Sequence, residues 1–88
     1  MSNKLNRSDY LILDTLHDSQ MTDQFHSMTI EEIMEENDNS LGTRMTVYRK
    51  VTKLVKLGYL EKGVLDNHAN TYYLSDEGCK LFKEDKAI

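Results

Sequence analysis

The residues best suited to binding chemistry are a group of cations on one short segment. Between Gly42 and Leu60 the sequence has five basic residues and no acidic one, and they are Arg44, Arg49, Lys50, Lys53 and Lys56. Their guanidinium and ammonium groups can donate hydrogen bonds to phosphate oxygens. No acid on the segment pairs with them at helical spacing, so the pattern favours a polyanionic ligand. The alternative is a solvated helix face.

The same segment has the pattern of an amphipathic helix. Val47, Val51 and Leu54 recur at i, i+4 and i+7, which places them on one face. Thr43 is expected to cap the N-terminus, and Gly58 suits the left-handed position just beyond the C-terminus. The opposite face and its flanks carry Met45, Tyr48, Arg49, Thr52, Lys53 and Lys56. We therefore predict a recognition helix at residues 43–57 that enters the major groove of double-stranded DNA.

The net charge of −4 conceals a strongly uneven distribution. Residues 1–38 carry −7, residues 39–63 carry +5, and residues 64–88 carry −2. The field at a binding site depends on local charge more than on the total. A basic segment on an acidic background is therefore compatible with DNA binding and would oppose wrong orientations on a polyanion.

Length and composition limit the class of protein. A chain of 88 residues suits one small domain, which we place at 1–88 with a polar tail at 1–7. No apolar run is long enough for a membrane helix, and the N-terminal sequence MSNKLNRSDYLIL has no signal-peptide core. We therefore expect a cytoplasmic protein with no membrane partner.

The chain lacks the usual constellations of reactive side chains. Its single cysteine, Cys79, excludes an internal disulfide, and His17, His26 and His68 lack metal-ligand spacing. No nucleophile with a neighbouring base and no phosphate-binding glycine loop is evident. We expect no metal, no cofactor and no enzymatic activity.

Two helices are expected before the basic segment. Ser8 is predicted to cap the first, which runs to about His17, and the alternation at residues 24–28 suggests a very short strand with Phe25 and Ser27 on one side. Thr29 and Glu32 then form a capping-box pattern that starts a second helix ending near Asn37. Around this box, Met28 and Ile33 take hydrophobic-staple positions, and Leu41 is expected to fill the corner of the turn at 38–42.

A β-hairpin and a last helix are expected after the basic segment. Residues 59–64 and 71–74 have strand patterns, and a polar turn at 66–70 separates them. Ser75 is predicted to cap the last helix, from which Cys79 and Phe82 pack inward. The order of helix, strand, helix, turn, helix, hairpin and helix predicts an α+β winged helix. This fold has a three-helix helix-turn-helix core, a β-hairpin wing and a C-terminal helix.

Several segments resemble winged helix-turn-helix bacterial regulators. LVKLGYLEKGV (54–64) and LSDEG (74–78) are similar to the recognition-helix end, wing and following segment of MarR-like and PadR-like repressors. TVYRKVTKL (46–54) resembles the recognition helix of the Fur family, in which a TVYR segment recurs. The resemblance implies that Tyr48 and Arg49 face DNA, together with Thr43, Arg44 and Met45. The resemblance does not extend to the Fur-like metal and dimerisation domain, so we expect no metal regulation, and the 38–42 turn is longer than in compact helix-turn-helix proteins.

These observations predict a sequence-specific DNA-binding transcriptional regulator, in particular a repressor, that binds as a homodimer to half-sites about 10–10.5 bp apart. The alternatives are a winged-helix protein-interaction module and a replication or partition factor of a phage or plasmid. The predicted contact residues are Thr43, Arg44, Met45, Thr46, Tyr48, Arg49, Thr52, Lys53, Lys56, Lys62 and His68. Contact by the wing is left open, because Lys62 is its only cation and Asp66 repels phosphate.

Overall fold

The computed structural model describes residues 5–65 and 69–83, and within them it has a mixed helix and sheet architecture. The helices are α1 (Arg7–Asp18), α2 (Ile30–Glu36), α3 (Arg44–Lys56) and α4 (Asp76–Lys83). The strands are β1 (Met28–Thr29), β2 (Leu60–Lys62) and β3 (Thr71–Leu74). This order confirms the α+β winged-helix prediction, and no described helix is long and apolar enough to cross a membrane.

Helix α1 begins two residues earlier than expected, and the prediction that Ser8 caps it was wrong. The cap is Asn6, whose Oδ1 accepts a hydrogen bond from the Asp9 backbone at 2.9 Å. In return, Asp9 Oδ2 accepts from the Asn6 backbone at 3.0 Å. This reciprocal arrangement satisfies two donors at the helix start, whereas a Ser8 cap would satisfy one. Leu5 already packs against the core, so residues 5–7 are not part of a tail as predicted.

The residues predicted as a strand at 24–28 begin with a tight turn. The strand itself is β1, which spans Met28–Thr29. Asp23 Oδ1 accepts from the backbone N–H groups of Phe25 and His26 at 2.8 and 2.9 Å. This side-chain turn directs Phe25 outward, and 71% of that residue is exposed. Pairing with the sheet begins at Met28.

The start of α2 has the predicted geometry. Thr29 Oγ1 accepts from the Glu32 N–H at 3.2 Å, and Glu32 Oε1 accepts from the Thr29 N–H at 2.9 Å. Met28 and Ile33 are both buried, as a hydrophobic staple requires. The helix ends at the cap residue Asn37, and Leu41 is buried in the corner that leads to α3.

The three described strands form an antiparallel sheet with β3 in the centre. Leu60 of β2 lies opposite Leu74, and Lys62 lies opposite Tyr72, which also pairs with Met28 of β1. The predicted hairpin is therefore confirmed, although residues 66–68 of its turn lie outside the described residues. The fully buried side chains of the core come from three helices and the sheet and include Ile12, Leu13, Leu16, Ile33, Val47, Val51 and Leu54.

Ser75 joins the end of α3 to the start of α4. Its hydroxyl accepts from the Gly78 N–H at 3.1 Å, as predicted for a cap, and donates to the Gly58 carbonyl at 2.5 Å. Cys79 and Phe82 pack against the core from α4. Position 78, inside α4, is a glycine because its α-carbon lies close to the Tyr59 carbonyl. A Cβ would not fit there.

Candidate nucleic-acid interface

Helix α3 is fixed at both ends by local hydrogen bonds. Thr43 caps it, as predicted, with its hydroxyl accepting from the Thr46 N–H at 3.2 Å. At the other end the Gly58 N–H donates to Val55 and the Tyr59 N–H donates to Leu54, each at 3.0 Å. This pair of bonds is a Schellman motif, and it needs the φ of +92° that Gly58 adopts.

Burial of one face sets the rotation of α3 about its axis. Val47, Val51 and Leu54 are each 0% exposed, so the opposite face points to solvent. Met45, Tyr48, Arg49 and Lys56 are exposed on that side, and Thr52 is half-buried among them. The residues that line one open groove on this face are Tyr48, Arg49, Thr52, Lys53 and Lys56. Five of the predicted contact residues are thus brought together.

Lys53 is engaged by a carboxylate from α1. Its Nζ donates to Asp9 Oδ2 at 2.5 Å, and Asp9 is 0% exposed whereas the Lys53 side chain is 39% exposed. The second oxygen, Asp9 Oδ1, is buried without a hydrogen-bond partner among the described residues. Lys53 therefore compensates a buried charge, and its predicted contact with DNA remains a prediction.

Arg44 is also paired, but at the surface. Its Nε donates to Glu31 Oε2 at 2.7 Å, and both side chains are more than half exposed. The guanidinium lowers the pKa of the Glu31 carboxyl, chiefly through this hydrogen bond. Exposed pairs of this kind contribute about 0–1 kcal/mol, so Arg44 can exchange its carboxylate for another anion at little cost.

The remaining predicted residues lie on either side of this face. Thr43 is exposed and Thr46 is half-buried at the start of α3, while Lys62 is exposed on β2. His68 and Asp66 lie outside the described residues, so the predicted contact of His68 stays a prediction. Within the described part of the chain, Arg49, Lys56 and Lys62 form no ion pair.

The structure adds Tyr72 to the residues beside α3. Tyr72 and Tyr48 together line two adjoining cavities between α3 and the hairpin. The sequence analysis did not include Tyr72 among the contact residues. Alternation along β3 places it on the same face as the buried Leu74, and that alternation was the available signal.

Tyr73 points to the other face of the sheet, where the surface is acidic. Its hydroxyl donates to Glu61 Oε1 at 3.0 Å. A cavity there is lined by the carboxylates of Asp23, Glu61 and Asp76. Burial, followed by the bond to Glu61, raises the pKa of Tyr73. The hairpin therefore separates a basic surface on the α3 side from an acidic one.

One group of potential metal ligands occurs among the described residues. Asp14, His17 and Asp18 have ligand atoms within 4.8 Å of one another at the end of α1. The His17 ring stacks on Phe82 with ring centroids 4.2 Å apart, which accounts for its position by packing. Both carboxylates of the cluster are exposed, and we assign it no metal.

No protein-family model matches this chain. A curated relative, the DNA-binding protein TubR of a Clostridium botulinum C phage, is 27% identical over 79 residues, which are 90% of this chain and 94% of the relative. The solution structure of the DNA-binding TubR fragment from Clostridium botulinum has a TM-score of 0.72 and 25% identity. That match covers 92% of this chain and 96% of the fragment.

Two further solved structures share the fold at lower identity. TubR from Bacillus megaterium pBM400 has a TM-score of 0.78 and 17% identity, covering 99% of this chain and 92% of that one. The Vibrio cholerae ferric uptake regulator has a TM-score of 0.66 and 18% identity, covering 84% of this chain and 55% of that one. The Fur-like part of the predicted resemblance is thus supported at the level of the fold, whereas the MarR-like and PadR-like part stays a prediction.

The similar proteins agree on the coarse assignment. The phage relative and the Clostridium fragment are DNA-binding proteins, and the Vibrio protein is a regulator. None of them is named as an enzyme, in agreement with the expectation drawn from the sequence. The chain is similar to DNA-binding winged-helix proteins over nearly its whole length.

Proposed function

We propose that this chain binds double-stranded DNA through α3 and serves as a replication or partition factor of a phage or plasmid. The observation that carries the proposal is the outward face of α3. Arg49 and Lys56 stand there exposed, with no ion pair among the described residues, while the opposite side of the helix is fully buried. Such a face can enter the major groove and donate to phosphates and base edges.

The phage origin of the curated relative favours this role over the repressor first predicted. That relative is a DNA-binding protein that matches this chain along 94% of its own length. The alternative weighed from the sequence, a replication or partition factor of a phage or plasmid, is therefore the better supported of the two readings. A transcriptional regulator is the second candidate, which the Fur-like fold favours.

The division of charge across the hairpin supports one orientation on DNA. The acidic cavity lined by Asp23, Glu61 and Asp76 lies on the sheet face turned away from Tyr72 and Lys62. A polyanion is repelled from that face and attracted to the other, so encounters in the wrong orientation are disfavoured.

We further propose that the protein acts as a homodimer. Among the described residues, one copy offers few cations free of ion pairs on the α3 side, and a second copy doubles the phosphates that can be neutralised. Two copies related by a two-fold axis would place their α3 helices on half-sites about 10–10.5 bp apart. Size-exclusion chromatography with light scattering, with and without DNA, tests the mass directly.

A gel-shift experiment on the protein's own upstream DNA tests DNA binding. If two copies neutralise about 6–10 phosphates, affinity falls about 10³–10⁵-fold between 50 and 200 mM salt. Arg49→Ala is expected to reduce binding, whereas Lys80→Ala, at an exposed lysine of α4, serves as the matched control. Salt-independent retention of the duplex, or equal loss in both variants, would contradict the proposal.

A co-capture experiment separates the two candidate roles. DNA fixed on beads is incubated with the protein and a second, labelled duplex. A partition factor that bridges DNA retains the second duplex, whereas a repressor that occludes one operator does not. If Arg49→Ala leaves DNA retention unchanged while a protein partner still co-purifies, the protein-interaction module is the better description.

A further inference from the structure

We propose that the groove between α3 and the hairpin holds the phosphate backbone of one DNA strand, and that Tyr72 is a DNA contact. We call this surface the tyrosine groove, and its residues are Arg44, Tyr48, Thr52, Lys56, Lys62 and Tyr72. The inference rests on the proposed function. It identifies the part of the DNA that meets the wing side of the interface.

Two adjoining cavities make up the groove, with the tyrosines between them. The first, of about 190 Å³, is lined by Arg44 and Asn70 in addition to Tyr48 and Tyr72. The second, of about 170 Å³, is lined by Lys56 and Lys62 with the same two tyrosines. A cation therefore stands at each end of a groove whose middle carries two phenol rings. Successive phosphates of a strand present a line of negative charges, which cations at both ends of a groove can neutralise.

Tyr72 is placed to donate a hydrogen bond into this groove. The residue is 3% exposed, so its ring is fixed by packing. Its hydroxyl has no hydrogen-bond partner among the described residues. Among those residues, Asp9 Oδ1 is the only fully buried side-chain oxygen or nitrogen without a partner, so the Tyr72 hydroxyl is not fully buried. A buried tyrosine normally finds a partner for its hydroxyl. Tyr72 lines both cavities of the groove, where an external acceptor can supply that partner.

The protonation of Tyr72 suits a donor. Burial, followed by the neighbouring Tyr48, raises the pKa of Tyr72, although Arg44 acts in the opposite direction. A phenol whose pKa lies above its ordinary value is fully protonated at neutral pH, as an unperturbed phenol also is, so Tyr72 presents an O–H group to an anion. The influence of Tyr48 and Arg44 on this pKa also reflects the proximity of the three polar groups.

The charges along the groove favour phosphate and place the stronger site at the lysine end. Lys62 lies opposite Tyr72 in the β2–β3 register, and Lys56 reaches the same cavity from α3. At the other end, Glu31 lines the cavity and occupies Arg44 Nε, so it opposes a second anion there. Tyr48 and Lys56 belong both to this groove and to the exposed face of α3. A strand contacted by α3 can therefore continue into the groove.

Adjacent tyrosines provide a matched test. Tyr72→Phe removes one hydroxyl and keeps the buried ring, and Tyr73→Phe removes the hydroxyl that bonds to Glu61 on the acidic face. Binding of a fluorescently labelled duplex is measured by anisotropy at 100 mM salt. Tyr72→Phe should weaken binding about tenfold, the loss expected for one hydrogen bond to a charged oxygen. The loss should be equal for cognate and scrambled duplexes, because phosphate contacts do not read sequence. Tyr73→Phe should bind as the unmodified protein does.

Lys62→Gln is the second variant, and it changes an exposed residue that the core does not need. It should reduce the slope of log affinity against log salt by about 1, the value for one phosphate contact. If both Tyr72→Phe and Lys62→Gln bind like the unmodified protein while Arg49→Ala does not, the groove assignment is wrong and the proposed function stands. A loss confined to the cognate duplex would also overturn it, since Tyr72 would then read a base. If the unmodified protein binds no duplex, both proposals fail.

Discussion

Removing the ammonium of Lys53 should destabilise the fold far more than its position on the surface of α3 suggests. In the Lys53→Met variant, Asp9 would stay in a site that is 0% exposed, where its Oδ1 already has no hydrogen-bond partner among the described residues. Breaking a buried pair by deleting one partner costs about 3–5 kcal/mol. Because the Lys53 side chain is 39% exposed and its charge is partly hydrated, we expect a loss below this range, about 2–3 kcal/mol.

The reciprocal variant should cost less. Asp9→Asn removes the buried charge and leaves a lysine that can turn toward solvent. An asparagine oxygen can still accept from the Asn6 N–H, so part of the cap survives. We expect a loss of about 1 kcal/mol, and the double variant should be no less stable than Lys53→Met alone.

Urea unfolding monitored by circular dichroism measures these differences. A loss of 2–3 kcal/mol lowers the midpoint by about 1–2 M for a domain of this size. Lys56→Met is the matched control, because it removes a lysine three positions along the same helix that has no carboxylate partner among the described residues. It should change stability by less than about 0.5 kcal/mol. The reasoning is refuted if Lys53→Met and Lys56→Met unfold at the same urea concentration, or if Asp9→Asn costs more than Lys53→Met.

Two further predictions concern a surface pair and a close backbone contact. The pKa of Glu31 should lie below its ordinary value in an NMR titration and rise in Arg44→Gln. Since the pKa of Glu31 is lower in the folded than in the unfolded protein, this pair stabilises the fold at neutral pH. That stabilisation is lost as the pH falls through the folded pKa. An unchanged Glu31 titration in Arg44→Gln would contradict the pairing. Gly78→Ala should cost about 1–3 kcal/mol in the same urea assay, because its Cβ would lie 2.8 Å from Leu74 Cδ2 and against the Tyr59 carbonyl. By contrast, Gly58→Ala meets no atom within 4 Å and should cost about 1 kcal/mol for its positive φ alone, so a larger loss at Gly58 than at Gly78 would count against this account.

Elements that depend on neighbours in sequence could be predicted from the sequence. The capping box of Thr29 and Glu32 and the cap of Thr43 join groups three residues apart, so the pattern contains the whole interaction. Where two local caps competed, the prediction was wrong, because Ser8 seemed sufficient and the reciprocal bonds of Asn6 and Asp9 satisfy more donors.

Features that depend on the packing of distant segments could not be predicted in this way. Lys53 and Asp9 are 44 positions apart, and no local pattern indicates that they meet. Alternation along β3 indicates the face on which Tyr72 lies, but its position opposite Lys62 follows from the register of the hairpin, which the strand patterns alone do not fix. The basic face of α3 was predictable because helical periodicity determines it, but the engagement of Arg44 and Lys53 by carboxylates was not.

The hydroxyl of Ser75 has a consequence for the entropy of binding. It ties the Gly58 carbonyl, just beyond α3, to the first turn of α4, while Asp9 holds the helix from the side of α1. The backbone of α3 is therefore ordered before any ligand arrives, and association need not order it. The freedom lost on binding is confined to long side chains such as Arg49 and Lys56, at about 0.5–1.5 kcal/mol each. If the Ser75 hydrogen bond to Gly58 were lost, part of α3 would be ordered on binding instead of on folding, and the entropy cost of that ordering would weaken association.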